Sequence, residues 1–307
     1  PMVLCLSAHK VVGAKPLASL AYLWIEYVVP EEQPVATARV HEIMKQPENR
    51  MLFVMNSFQA VHYAVSWDLH LTWVPYTGSY LYRYLNISDP WARRPDAGGA
   101  VMFTRTQTLI NPQVMGLTQR FLDQVARAHG VWHDVVFGTF AYTELLRYRA
   151  VVMVPWSWNL ASKNEYYALG IPIFLPAKGL MVALIWLQLR IRPWRFQDLR
   201  GDWAPPSGCG RGSVADAAEE RRLGLTPGTV LPRCTQQLED VSTWWDHTDY
   251  ATTPHLQQYS SYADLFAQLE SADLSAISSR MLAEQRRRLE WQSDFFREAL
   301  PALKLAN

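Results

Sequence analysis

The chain has 307 residues, 49% of them hydrophobic and 19% charged, a globular balance that excludes a disordered chain. Its 29 basic and 28 acidic residues leave a net charge of +1, which lacks the electrostatic footprint of a nucleic-acid binder. A single core rarely grows past about 250–300 residues, so the length predicts two domains.

The chain begins "PMVLCLSA", an apolar stretch with no basic segment before it, and reads as a processed or truncated start. After "PLASLAYLWIEYVV", of undecided type, "TARVHEIMKQ" has helical spacing, with Val40, Ile43 and Met44 on one face. "NRMLFVMNS" predicts a buried strand, "FQAVHYAVSW" a helix and "LHLTWVPY" another strand. This βαβ rhythm argues for a parallel sheet covered by helices. "DPWARRPDAGG" (Asp89–Gly99), with two prolines and two glycines, is the expected linker between domains 1–95 and 96–307.

A second series follows. "AVMFTR" is a strand, "GLTQRFLDQVARAHG" a helix ending at Gly130, "WHDVVFG" a strand, "YTELLRYR" a short helix and "AVVMVPW" a strand. A hydropathy scan would flag Ile171–Leu189 as a membrane span, but Pro172, Pro176 and Lys178 interrupt it. The unbroken run is short of the roughly 20 residues a span needs. The segment therefore predicts a buried strand, a turn and a buried helix, and no transmembrane segment. Residues 201–232, rich in Gly, Pro and charge, read as a surface loop excursion. "HLQQY" predicts a strand, "YADLFAQLE" a helix, and a long C-terminal helix starts near Asp273, its "RRR" at 286–288 lying on a solvated face.

The fold class expected is therefore α/β, with two Rossmann-like domains and a long C-terminal helix. The three cysteines are odd in number, far apart and form no C-x-x-C pair, so neither a zinc ribbon nor a disulfide framework is expected, with a Cys209–Cys234 bridge closing one loop as the lesser alternative.

The densest polar signal is "SWNLASKNEYYALGIPIFLP". Ser162 and Glu165 match the capping box S-x-x-E, with Gly170 at the helix C′ position and Pro172 blocking continuation. The same geometry also suits a ligand. A helix start after a parallel strand offers unpaired N–H groups and a positive dipole to a diphosphate. Lys163 adds a cation there, and Glu165 can accept from a ribose diol. Both readings stand on the residues alone.

The run S-x-x-E-x-x-x-x-G-x-P between two strands resembles the donor-binding core of GT-B glycosyltransferases. The blocks "PWSWNLASKNEYYALGIPIFLP" and "HTDYATTPH" are similar to blocks in glycosyltransferase-like proteins of unicellular eukaryotes. The resemblance implies the GT-B arrangement, two Rossmann-like domains facing each other across a cleft, with an N-terminal acceptor half and a C-terminal half binding a nucleotide sugar. It implies Glu165 on the ribose, Ser162 and Lys163 flanking the diphosphate, Arg105 of "FTRTQ" against it, and Tyr142 of "GTFAYTE" at the base. The donor would be a UDP-sugar and the acceptor a carbohydrate or glycoconjugate. A core aromatic is the bland reading of Tyr142, and a surface turn that of Arg105. The family often has tyrosine where Trp156 stands, and Ile173 occupies the eighth place after Glu165, so the fuller E-x₇-E pattern is absent.

No D-x-D, G-x-S-x-G, P-loop or G-x-G-x-x-G occurs, which removes the motifs of metal-bridged donors, hydrolases, kinases and dehydrogenases. Asp246, His247 and Asp249 crowd one turn, read as a capped turn, an acidic loop at a sugar, or a metal site short of ligands. The expected enzyme is a metal-independent glycosyltransferase without a cofactor. His9, His62 and Asp68 are the candidate bases if it inverts. The alternative is an inactive GT-B-like binding or scaffold protein. The compartment is the Golgi and secretory pathway or the cytoplasm.

Overall fold

The structure is a computed structural model that describes residues 35, 38, 42, 53–54, 57–68, 70, 72–92, 99–104, 120, 122–136, 141–155, 158, 160–191, 209–214 and 216–304. In chain order the elements begin with β1 (Phe53–Val54), α1 (Ser57–Trp67), β2 (Thr72–Trp73) and α2 (Tyr80–Tyr84). Next come β3 (Ala100–Thr104), a helix at 122–128, β4 (His133–Val136) and a 3-10 turn at Tyr142–Arg147. β5 (Tyr148–Met153), α3 (Ala161–Ala168), β6 (Ile173–Pro176) and α4 (Lys178–Ile191) complete the middle of the chain. The last third carries β7 (Arg211–Gly212), α5 (Ala217–Arg222), β8 (Leu231–Pro232), α6 (Leu238–Trp245) and α7 (Asp249–Thr252). β9 (Gln257–Tyr259), α8 (Tyr262–Ser271) and α9 (Leu274–Lys304) end it. The protein is α/β with a five-stranded parallel sheet and a long C-terminal helix, as the residue patterns predict.

Two compact units divide the chain. One comprises residues 1–75, 196–249 and 291–307, the other 76–195 and 250–290. The expected linker at 89–99 lies inside the second unit, where Pro90–Ala92 form a 3-10 turn.

The second unit holds the sheet, ordered β4-β3-β5-β6-β9 with every neighbour parallel. Its three central strands are buried on both sides, while the edge strands β4 and β9 carry polar, partly exposed residues. Val101, Phe103, Val152 and Phe174 pack with Leu122 and Ala126 of the 122–128 helix and Leu265 and Phe266 of α8. Met102, Val151, Met153, Ile173 and Leu175, of opposite parity, are equally buried. By chain order the strands run 2-1-3-4-5, so the winding reverses between β3 and β5. In open α/β sheets ligands settle outside the carboxyl ends of the strands at that reversal. Residues 154–160 lead from the carboxyl end of β5 into α3.

α3 ends as the sequence predicts. Gly170 has φ +64, and Ile171 N–H donates to Tyr166 O at 3.1 Å while Gly170 N–H donates to Tyr167 O at 3.0 Å. These are the two bonds of a Schellman stop. α9 closes over this turn, since a Cβ on Gly170 would stand 2.8 Å from Leu282 Cγ.

The first unit pairs β1 with β2 in parallel and β7 with β8 antiparallel, each a two-stranded sheet. The expected loop excursion is structured where it is described. Cys209 and Cys234 form a disulfide, Asp216 caps α5 by accepting from Ala218 N–H at 2.8 Å, and the buried Glu220 accepts from Gly228 N–H at 2.9 Å. The expected helix at "TARVHEIMKQ" falls largely outside the described residues, and Cys5 wholly so. No helix among the described residues is long and apolar enough to cross a membrane.

Gly170→Ala should lower stability by about 1–2 kcal/mol for the left-handed backbone alone, and by more for the overlap with Leu282. Chemical unfolding checks it. An unchanged midpoint would mean that neither the turn nor the α9 contact constrains this position.

Candidate functional site

The capping box does not form. The N-cap of α3 is Leu160, in extended conformation and with no side-chain cap, and Lys163 N–H donates back to Leu160 O at 3.2 Å. Ser162 is thus the second residue inside the helix, and its buried hydroxyl has no hydrogen-bond partner among the described residues. Glu165, one turn on, is released from capping. Residues three apart share a helix face, so the Ser162 hydroxyl and the Glu165 carboxylate line the same side of α3.

Two phenols meet that carboxylate. Tyr142 Oη donates to Glu165 Oε1 at 2.9 Å, Tyr80 Oη donates to the same oxygen, and the two hydroxyls are 3.0 Å apart. Each phenol carries one proton, so this triangle of three oxygens has two protons for three edges. Glu165 is buried, and its Oε2 takes no hydrogen bond among the described residues. Burial, followed by the hydrogen bonds to Glu165, Tyr142 and Tyr76, raises the Tyr80 hydroxyl far above the phenol range. For Tyr142 the hydrogen bond with Tyr80 pulls downward, but burial and the Glu165 carboxylate outweigh it and the net shift is upward. Both hydroxyls stay protonated and serve as donors. The rings themselves face outward. Tyr80 is 44% exposed and Tyr84 64%, and Tyr84 stands edge-on to Tyr142 with centroids 5.7 Å apart.

A glycine sets this geometry. Gly78 has φ +62, and a Cβ there would lie 2.8 Å from Asn164 O and 3.1 Å from Glu165 Cα. Only glycine permits both the left-handed turn and the close approach. The preceding Thr77 O accepts from the buried Gln285 Nε2 of α9 at 2.5 Å. Following it, Tyr82 Oη donates to Ala168 O at 2.8 Å. The segment 76–84 is therefore fastened to the middle and the C-terminal end of α3, and to α9. Sequence reasoning passed over Tyr76, Tyr80 and Tyr84. Their four-residue spacing beside a Thr-Gly-Ser turn was the available signal.

Lys163 is turned away from Glu165. Residues two apart point to opposite sides of a helix, and the buried Nζ donates to Thr253 Oγ1 at 2.9 Å and sits 5.9 Å from the Tyr250 ring centroid. The structure thus brings together Glu165, Tyr142 and Ser162, and separates Lys163 from them. Arg105 and His9 lie outside the described residues.

The crowded turn at 246–249 serves structure. Asp249 Oδ1 accepts from the Ser57 amide at 2.9 Å and its hydroxyl at 2.7 Å, at the start of α1, and His247 O accepts from the same hydroxyl. Among the described residues no group of side chains is arranged to hold a metal ion. His62, a candidate base, is buried with Phe58 stacked at 5.4 Å and Trp244 edge-on at 5.3 Å, and its Nδ1 has no partner. Burial pushes it down to about 3. Asp68 is exposed, φ 52, and lies 3.1 Å from His70 Nε2.

Two outcomes follow from these contacts. Gly78→Ala should cost about 2 kcal/mol or more, since an unmoving carbonyl adds to the left-handed penalty of about 1–2 kcal/mol. Gly179→Ala, in α4 and with open space around it, should be neutral or stabilising by about 0.5–1 kcal/mol. Equal effects at the two glycines would refute the close-approach argument. His62 ionises near 6.5 when unfolded but near 3 when folded. The unfolded chain therefore binds the extra proton between those values, and stability is full above about pH 6.5 and falls as pH drops towards 3. His62→Leu should flatten that decline in urea midpoints; a variant that loses as much as the parent would show that His62 is not the titrating group.

Comparison of the chain with protein-family models, with curated proteins and with solved structures finds no match.

Proposed function

We propose that the second unit binds the nucleotide sugar of a metal-independent glycosyltransferase of GT-B type, with the first unit supplying the acceptor half. One observation carries the reading. Glu165 does not cap its helix, its Oε2 takes no hydrogen bond among the described residues, and it stands one turn from a buried Ser162 hydroxyl that has no partner among them. A carboxylate with a free acceptor oxygen and two flanking phenols suits a vicinal diol, the recognition face of a ribose. Charge-assisted hydrogen bonds to such a diol contribute roughly 1.5–3 kcal/mol each. The exposed Tyr84 ring and the half-buried Tyr142 ring beside it offer a stacking surface to the base. The α3 N-terminus, without a side-chain cap, supplies amides and a dipole for charge growing on a leaving diphosphate. A UDP-sugar is the donor and a carbohydrate or glycoconjugate the acceptor in this reading. Lys163 then positions α3 against Thr253 instead of touching phosphate. With His62 sealed and unprotonated, the base of an inverting reaction falls to Asp68 or His9. The disulfide favours the oxidising secretory pathway over the cytoplasm.

A binding or scaffold protein without turnover is the competing reading. It is favoured by one observation, that Tyr80 and Tyr142 already occupy Glu165 Oε1.

Glu165→Gln keeps an acceptor for both phenols and should leave the melting temperature nearly unchanged. It should weaken the nucleotide that gives the largest thermal shift, among UDP, GDP and their sugars, by at least tenfold, or about 1.4 kcal/mol. Full affinity in the variant would misplace the donor site. No shift with any nucleotide would favour the scaffold.

A further inference from the structure

The opposite side of α3 carries a separate cluster. Tyr167 Oη donates to Pro254 O at 3.1 Å, and the Arg288 guanidinium lies 5.2 Å from the centre of the Tyr167 ring. One tyrosine thus joins the 253–257 segment to α9. On α9, Arg280, Glu284, Arg287 and Arg288 recur at helical spacing and share a face. Glu284 accepts from Arg288 Nε at 3.0 Å and from Arg287 Nη2, which fixes two guanidiniums side by side. Arg280 is exposed and has no acidic partner among the described residues. Three arginines against one carboxylate leave a local excess of positive charge.

His255 completes the cluster. It is half-buried with φ +66, a left-handed backbone that costs a non-glycine residue energy and persists only where surroundings enforce it. The enforcement is visible: Thr253 Oγ1 holds Lys163 Nζ, Pro254 O holds Tyr167 Oη, and His255 O accepts from Gln257 Nε2 at 2.8 Å.

We propose that His255, Arg280, Arg287 and Arg288 form a binding site for a phosphate-bearing anion, distinct from the Glu165 site. Guanidinium forks match phosphate oxygens in pairs, and the imidazole adds one directed donor. The ionisation of His255 agrees with positively charged surroundings. Burial lowers it most, then Arg280, with Glu284 opposing and Arg287 and Arg288 adding smaller decreases. Tyr167 is the group facing it from α3. An anion between these cations reverses the arginine contribution, which makes His255 a built-in reporter.

The test is titration of the full chain with pyrophosphate and, separately, with inorganic phosphate, followed by calorimetry and by the His255 imidazole resonances across pH. Binding of pyrophosphate should raise the His255 pKa and weaken with added salt. The exposed pair Arg280→Ala/Arg287→Ala should lose at least tenfold in affinity, while Glu165→Gln keeps it. Tighter pyrophosphate than phosphate assigns the site to a diphosphate, and equal affinities to a phosphomonoester. The proposal fails if neither anion binds, if the double variant binds unchanged, or if His255 does not respond. Loss of binding in Glu165→Gln would also overturn it, by moving the anion to the other face of α3.

Discussion

The approach of the Gly78 backbone to the Asn164–Glu165 stretch of α3 is the constraint on which the site depends. With a Cβ at that point the turn could not close to 2.8 Å of a carbonyl oxygen. Because it closes, Tyr80 begins a helix beside Glu165 and its hydroxyl reaches the carboxylate. The approach is made tolerable by hydrogen bonds on each side, from Gln285 to Thr77 and from Tyr82 to Ala168. A buried carboxylate is stable only with donors of this kind. Two phenols provide them at one oxygen and leave the other without a hydrogen bond among the described residues.

α9 is the second element that holds this arrangement. Its Leu282 packs on the Gly170 stop of α3, its Gln285 fastens the Thr77 turn, and its Arg288 lies over Tyr167. These residues recur every three or four positions, so a single stripe of one helix holds the C-terminal end of another and the turn that packs on it. The arginines of the "RRR" run are correspondingly divided. Arg286 and Arg287 are exposed, as a solvated face requires, although Arg286 also lies 4.8 Å from the centre of the Trp91 ring, while Arg288 is half-buried over Tyr167. Flat guanidiniums stack on aromatic faces at little desolvation cost, which a reading of the run as a merely solvated face did not foresee.

α3 itself works as a partition. Its Ser162–Glu165 side faces the tyrosines, and its Lys163–Tyr167 side faces the 250–255 segment. A helix of eight residues has just over two turns, so each side carries only one or two functional groups. The division explains why a cluster that looks continuous in sequence, Ser-Lys-Asn-Glu, serves two environments.

What the sequence by itself determined is the alternation of strands and helices in the second unit, the Gly170 stop and the absence of an apolar span between Ile171 and Leu189. Each depends on nearest neighbours along the chain: apolar runs, a left-handed glycine, a proline that cannot continue a helix. The tertiary structure alone decided how Glu165 is used. Its partners are 85 and 23 residues away, beyond the reach of any periodicity. The start of α3 was decided in the same way. S-x-x-E suits a cap at Ser162, but burial of Leu160 in an extended conformation moves the helix start two residues earlier and carries Ser162 inside. Local sequence offers the hydroxyl and the carboxylate; only packing sets which amides and phenols they can reach.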